Sequence, residues 1–414
     1  MYVCEHADAD MLCALDGILK TRCAEHGPIT PRLTQLCWPP NNVSDDRQKA
    51  QNVSIFLAET LVHLEVFVRQ DAAMFEDIKH IAPRLRRLAV LMSGSTKFDE
   101  DPGNAVSATF FSARSLQTLS WDSELPRGWL THLSSLRSLR RLHLRLPVPG
   151  SWDAQNIGAL TPREAFAALQ DLVLASESAE DAIKFLNYSR STPLISLTLT
   201  CKMNPFSAPH ALTMLSKIRR YHGRTLTYLR VDLRRYSWGL GFPPNPSQYT
   251  PPFLYVPMPS LTGNLNVGGS TSCAAGSADF ALRTVQLNIG YITETQLTSF
   301  LAATLHELLI IQTDQVSLTL ATLLVIADHC PHIRRLTITL RADPHSFRDH
   351  HAHQVLAHLA YLNVLYSSIE DAHDAALFLS GVCPLLTSIE WSERSRAEAK
   401  WREVNDILMG GIQP

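Results

Sequence analysis

Five histidines crowd into one short stretch of this chain. His345, His350, His351, His353 and His358 surround Asp343 and Asp349. Imidazoles and carboxylates packed this closely are the usual donors for a transition metal, and Asp349 and His353, four apart, would share one face of a helix. Against that, no His-x-x-x-His pair occurs and no Cys lies nearby in the sequence, so the stretch reads as a polar, partly exposed helix and no metal is expected. Other chemistries are equally thin. There is no Gly-x-Ser-x-Gly, no phosphate-binding Gly-Lys-Ser/Thr loop and no dinucleotide fingerprint. Gly263, Gly268 and Gly269 fall in a Pro-rich segment instead of between a strand and a helix. Trp121, Trp129, Trp152 and Trp238 suit packing or loop anchoring better than base stacking. The expectation is a non-catalytic protein with no cofactor.

The residues that do recur at fixed spacing are arginines. Arg87, Arg141, Tyr228 and Arg335 each precede, and His143, Arg145, Arg230 and Arg234 each follow, an aliphatic residue in or just past a repeated phrase, with Asp171, Asp232, Glu307 and Glu390 interrupting the series. Arg combines a planar, directional donor set with an apolar stem, and with Tyr it is enriched where proteins bind proteins. The same residues would also serve as a solvated strand face that keeps a sheet soluble.

The phrase that positions them is Leu-x-x-Leu-x-(aliphatic or Trp), as in Leu85-Arg-Arg-Leu88-Ala-Val90 and Leu139-Arg-Arg-Leu142-His-Leu144. Its first apolar residue falls at Leu33, Leu61, Leu85, Leu116, Leu139, Leu169, Leu194, Leu226, Leu282, Leu305, Ile333, Leu359 and Leu386. A period of 20–50 residues marks a stacked array, in which each copy buries its apolar positions only against its neighbours. Between the phrases, 179–188, 211–221, 293–303, 318–329 and 373–382 carry apolar residues at helical spacing. Pro83, Pro193, Pro331 and Pro384 punctuate the return to the next strand. The expected fold is therefore an α/β leucine-rich-repeat solenoid, a horseshoe of 12 or 13 repeats with a parallel concave sheet and convex helices. Within each phrase the aliphatic residues face inward, and the two residues flanking the second Leu face out.

One interval breaks the period. From Leu226 to Leu282 the gap is twice the unit, and 239–277 is dense in Pro and Gly. Either an inserted loop or a degenerate repeat, with a worn strand near 259–267, would account for it. The expected organisation is a capping helix region at 1–30, a solenoid at 31–393 carrying the 239–277 insertion, and a capping helix and tail at 394–414, with Trp401 and Val404 at packing positions.

Bulk properties narrow the partners. The net charge of −2 gives no global case for nucleic acid or an anionic membrane. The eight Cys show no Cys-x-x-Cys spacing, the N-terminus lacks a basic-then-apolar leader, and no run of 18 apolar residues occurs. A cytoplasmic or nuclear setting with reduced thiols is expected.

The Pro-x-Leu-x-x-Leu-x-Trp wording of Pro31–Trp38 and Cys383-Pro-Leu-Leu386-Thr-Ser-Ile389-Glu-Trp391 resembles the fungal F-box/leucine-rich-repeat proteins, within the ribonuclease-inhibitor-like class of repeats. The resemblance implies substrate binding for an SCF-type ubiquitin ligase, with a protein partner on the concave face and a Skp1-like adaptor on an F-box. Residues 1–30 contain no Leu-Pro and no Trp, so the adaptor-binding module itself is not found. The alternative is a scaffolding interaction protein with no ubiquitin link.

Overall fold

A computed structural model describes residues 22, 32–38, 56–68, 78–92, 112–124, 129–146, 165–201, 208–233, 281–289, 292–298, 301, 305–312, 316–346, 354–393 and 395–410. Thirteen strands form one parallel sheet: β1 (Gln35–Trp38), β2 (His63–Val68), β3 (Arg87–Met92), β4 (Thr118–Glu124), β5 (Arg141–Arg145), β6 (Asp171–Ser176), β7 (Ser196–Cys201), β8 (Tyr228–Leu233), β9 (Thr284–Ile289), β10 (Glu307–Gln312), β11 (Arg335–Ile338), β13 (Tyr361–Asn363) and β15 (Ser388–Glu390). They pair in chain order, while β12 (Arg341–Ala342) and β14 (Ser368–Ile369) make a separate two-stranded pair. Seven helices lie among the described residues: α1 (Trp129–Ser135), α2 (Ala179–Tyr188), α3 (Ala208–His222), α4 (Glu294–Thr298), α5 (Thr322–His329), α6 (Ala372–Val382) and α7 (Glu398–Gly410). This is a leucine-rich-repeat solenoid.

Every strand of the large sheet starts two residues after the first apolar residue of its phrase. The second apolar residues then meet in register: Leu88 opposite Leu64 and Leu119, Leu172 opposite Leu142 and Leu197, Leu336 opposite Leu308 and Leu362. All are buried, so the column is a continuous aliphatic stack. The third position makes a parallel column, and Trp121 fills one of its places with no exposed surface. It is a core residue, and a flat base-stacking role is closed to it.

A second device ties the repeats at the strand starts. The Val62 carbonyl accepts from the N–H groups of both Arg86 and Arg87 (2.8 and 3.1 Å), and the Gln117 carbonyl accepts from those of Arg140 and Arg141 (2.8 and 2.9 Å). One carbonyl per turn thus satisfies two donors of the next repeat, which a buried turn requires. Threonines reinforce it, as where Thr60 Oγ1 donates to the Leu33 carbonyl at 2.8 Å.

Across the doubled interval the large sheet is continuous. β8 pairs directly with β9, Tyr228 opposite Thr284 through Asp232 opposite Asn288, so no strand of the sheet comes from between them. The segment 239–277 itself lies outside the described residues, as does the 1–30 region apart from Arg22. At the other end α7 packs against α6, with Trp401 and Val404 fully buried. Helix caps follow the expected chemistry: Ser178 Oγ accepts from the Asp181 N–H, and Asp371 Oδ1 accepts from the Asp374 N–H at 3.0 Å. No helix among the described residues is long and apolar enough to cross a membrane.

Candidate functional site

The outward positions of the sheet form one continuous face, because strand alternation sends the residues flanking each buried Leu away from the core. Of the residues singled out from the sequence, Arg87, Arg141 and Arg335 open β3, β5 and β11 and are exposed; Arg230, the third residue of β8, is also exposed. Arg234 lies outside the described residues.

The face is cross-linked between strands. Arg141 Nε meets Asp171 Oδ2 at 3.0 Å, opposite it on β6, and Arg145 meets Glu177 at 2.9 Å. Burial raises the Asp171 carboxyl above the usual range, and Arg141 pulls it back down. Tyr228 donates to Gln286 at 3.3 Å, and Asn288 donates to Asp232 at 3.1 Å. Asp232 is only 4% exposed, so it interrupts the series as a covered group and presents little to a partner. Glu307 and Glu390 are exposed. Arg87 faces His63 across β2 and β3, and burial first, then Arg87, lowers the His63 pKa.

His143 is a more enclosed member. Its Nδ1 lies 3.0 Å from Ser120 Oγ. Burial lowers its pKa, and the nearby Asp122 charge opposes that shift. A Ser–His contact invites comparison with a nucleophile and base, but the strand N–H groups beside it are engaged in the β3–β4–β5–β6 ladder. They are thus not free to stabilise an oxyanion.

Sequence reasoning missed a cluster at the C-terminal end of the face. The Arg335 guanidinium stacks 4.9 Å from the centre of the Tyr361 ring, the Tyr361 hydroxyl donates to Glu390, and Asn363 Nδ2 lies 3.3 Å from Glu390 Oε2. The signal was present, since Tyr361 and Asn363 flank Leu362 in the phrase Leu359-Ala-Tyr-Leu362-Asn-Val364. Arg335 and Glu390 stand among the outward residues singled out from the sequence; Tyr361 and Asn363 do not.

Of the histidine cluster, only Asp343, His345 and His358 are among the described residues. His345 lies in the short 3-10 turn Pro344–Ser346, its N–H donating to Asp343 Oδ1 at 3.0 Å, whereas the His358 ring lies 5.7 Å from that of His332. Asp349, His350, His351 and His353 lie outside the described residues. Among the described residues no group of three His, Cys, Asp or Glu is placed to hold a metal ion.

No protein-family model matches this chain, and no curated protein matches it. Among solved structures, it is similar to a chain of the crystal structure of the Rad7 and Elc1 complex in yeast. The two are 13% identical with a TM-score of 0.39, over 92% of this chain and 85% of that one.

Proposed function

We propose that this protein is a non-catalytic recognition solenoid that binds another protein along the outward face of its large sheet. The observation that carries the reading is the face itself. Thirteen strands at about 4.8 Å spacing offer roughly 58 Å of surface, on which Arg, His, Tyr and Glu stand at fixed register. Cross-strand pairs such as Arg141–Asp171 and Arg335–Tyr361 hold those side chains in place, so less rotamer freedom is lost on binding. The contact residues in this reading are Arg87, Arg141, His143, Arg145, Tyr228, Arg230, Arg234 and Arg335, joined by Tyr361 and Glu390. Residues 31–393 form the recognising unit, 1–30 and 394–414 close its ends, and 239–277 borders one rim.

The finer reading is the substrate-binding arm of an SCF-type ubiquitin ligase. It rests on the Pro-x-Leu-x-x-Leu-x-Trp resemblance alone. The test is capture of tagged full chain from its native cells, with the bound proteins identified by mass spectrometry. Wild type should retain a partner that the combined variant Arg87→Ser, Arg141→Ser, Arg335→Ser loses while its thermal melt is kept. Equal capture by both refutes the outward-face reading. Capture with no Skp1-like adaptor and no cullin refutes the ligase reading and leaves the scaffold.

A further inference from the structure

The turns that precede the strands carry an unusual charge. Take the five residues centred on each of the thirteen first apolar positions: these 65 residues, about a sixth of the chain, hold 12 of its 29 Arg, no Lys, and only Glu59, Asp171 and Glu307 as acids. Because the sheet is parallel and every strand starts at the same place in its phrase, the topology lines these turns along one edge. One turn contributes Arg84, Arg86 and Arg87, another Arg137, Arg140 and Arg141; all six are exposed. Arg283 and Arg334 continue the row in later repeats. Only Arg84, with Glu59 at 2.9 Å, and Arg141, with Asp171, are neutralised by an ion pair among the described residues.

The opposite edge carries acids, three of them paired with cations: Arg145 meets Glu177, and Lys184 meets Glu180 and Asp181. Glu177, Glu180 and Asp181 follow β6, Glu294 opens α4, and Asp371 and Asp374 begin α6. Helices return antiparallel to the strands, so their positive N-termini sit at the acidic edge and their negative C-termini approach the arginine edge. That dipole makes a row of like charges tolerable. It acts only over the last helical turn, and Arg86, Arg140 and Arg334 lie beyond the helix ends.

On the reading above that the solenoid binds protein, we infer that this arginine rim takes an extended acidic segment of the partner, rich in Asp and Glu. The absence of Lys favours an oxyanion that Arg grips through two parallel N–H donors, which a row of carboxylates supplies. From Arg86 on the β3 turn to Arg334 on the β11 turn is eight strand spacings, about 38 Å, the reach of roughly twelve extended residues. Nucleic acid fits less well: among the described residues the only Tyr, Phe or Trp rings in these turns are Tyr228 and Tyr361, against twelve Arg, so no stacking platform runs between the cations.

The test uses the full chain and a fluorescent twelve-residue peptide of alternating Glu and Ser, followed by anisotropy. Saturable binding is expected, weakening about tenfold as salt rises several-fold. Arg86→Gln, Arg140→Gln, Arg334→Gln together should weaken it about tenfold more, whereas Arg402→Gln on α7 should change nothing. No binding, or equal binding by the triple variant, overturns the inference. So does tighter binding of a twelve-nucleotide oligo-dT, which assigns the rim to nucleic acid. Low-salt self-association abolished by the triple variant also overturns it, assigning the rim to a second copy. Because these three residues are not those replaced in the partner-capture experiment, either result can fail without the other.

Discussion

The indole Nε1–H of Trp401 donates to the carbonyl of Ser367 at 2.9 Å, from α7 into the turn ahead of β14. Ser367 is fully buried; its Oγ accepts from the Leu340 N–H at 2.9 Å and donates to the Val364 carbonyl. Through one serine, the last helix is joined to two preceding repeats. Trp401→Phe keeps most of the apolar burial but orphans the Ser367 carbonyl, at a cost of about 1–3 kcal/mol. Trp401→Ala adds a cavity and should cost about 3–5 kcal/mol. Urea unfolding checks both, and an Ala variant as stable as wild type would show that α7 does not close the array.

Among the described residues, two non-glycine residues adopt left-handed backbone, Phe166 at φ 54° and Leu365 at φ 49°. The conformation costs a side-chain-bearing residue about 1–2 kcal/mol. At Leu365 the side chain is only partly covered, so Leu365→Gly relieves strain and should leave stability unchanged or raised by up to about 1 kcal/mol. Phe166 is fully buried, with ring centroids 5.7 Å from Phe185 and 6.1 Å from Tyr188. Phe166→Gly should therefore lose about 3–5 kcal/mol despite the same backbone relief. Thermal melts of the two variants should move in different directions; a loss at Leu365 matching that at Phe166 would refute the strain argument.

The architecture was legible because its signal is repeated. One phrase states the strand start, the inward column and the outward column, and thirteen copies average out local exceptions such as Trp121 in a Leu column. Helix positions were also readable, as 179–188 coincides with α2. The site was legible only in part. Sequence alternation gives which way Arg141 points, but its pairing with Asp171 needs the register of β5 on β6. The arginine rim was hidden for the same reason: Arg87 and Arg137 are 50 residues apart in sequence and Arg141 and Arg283 are 142 apart, and their turns fall along one edge only when parallel strands align them.

Since β8 pairs directly with β9, no strand of the described sheet comes from residues 234–280. Replacing them by a Gly/Ser linker about as long as 290–306, which joins β9 to β10, should preserve the far-ultraviolet circular dichroism. Stability should stay within about 1 kcal/mol, since loop length enters closure entropy only logarithmically. Collapse of the shortened chain would show that the segment supplies a repeat to the core.

Cys201 and Cys383 are buried, and burial pushes both thiols up to about 12, with Asp232 and Glu177 adding to the rise at Cys201. The thiolate is the reactive form. At pH 8 iodoacetamide should leave both unmodified in the native protein and label them once it is unfolded in urea, read by peptide mass spectrometry. Rapid native labelling of either would mean that its repeat opens readily.

His222 gives the solenoid a defined acid sensitivity. It ends α3, is 1% exposed, and its Nδ1 lies 3.1 Å from the Thr192 carbonyl, so Nδ1 carries the proton and donates. Nε2 is buried with no hydrogen-bond partner among the described residues. Burial lowers the pKa, and the Thr192 bond offsets only part of that. A histidine whose pKa falls on folding binds more protons unfolded than folded, so its contribution is full above the unfolded value, about 6.5. It is lost progressively as pH falls below that value toward the folded pKa. His143, shifted the same way, adds to the slope. Urea midpoints should therefore decline between about pH 7.5 and 5.5. His222→Asn can keep a donor to Thr192 without titrating, and it should flatten the decline. A variant slope equal to wild type would exclude His222 as a source of it.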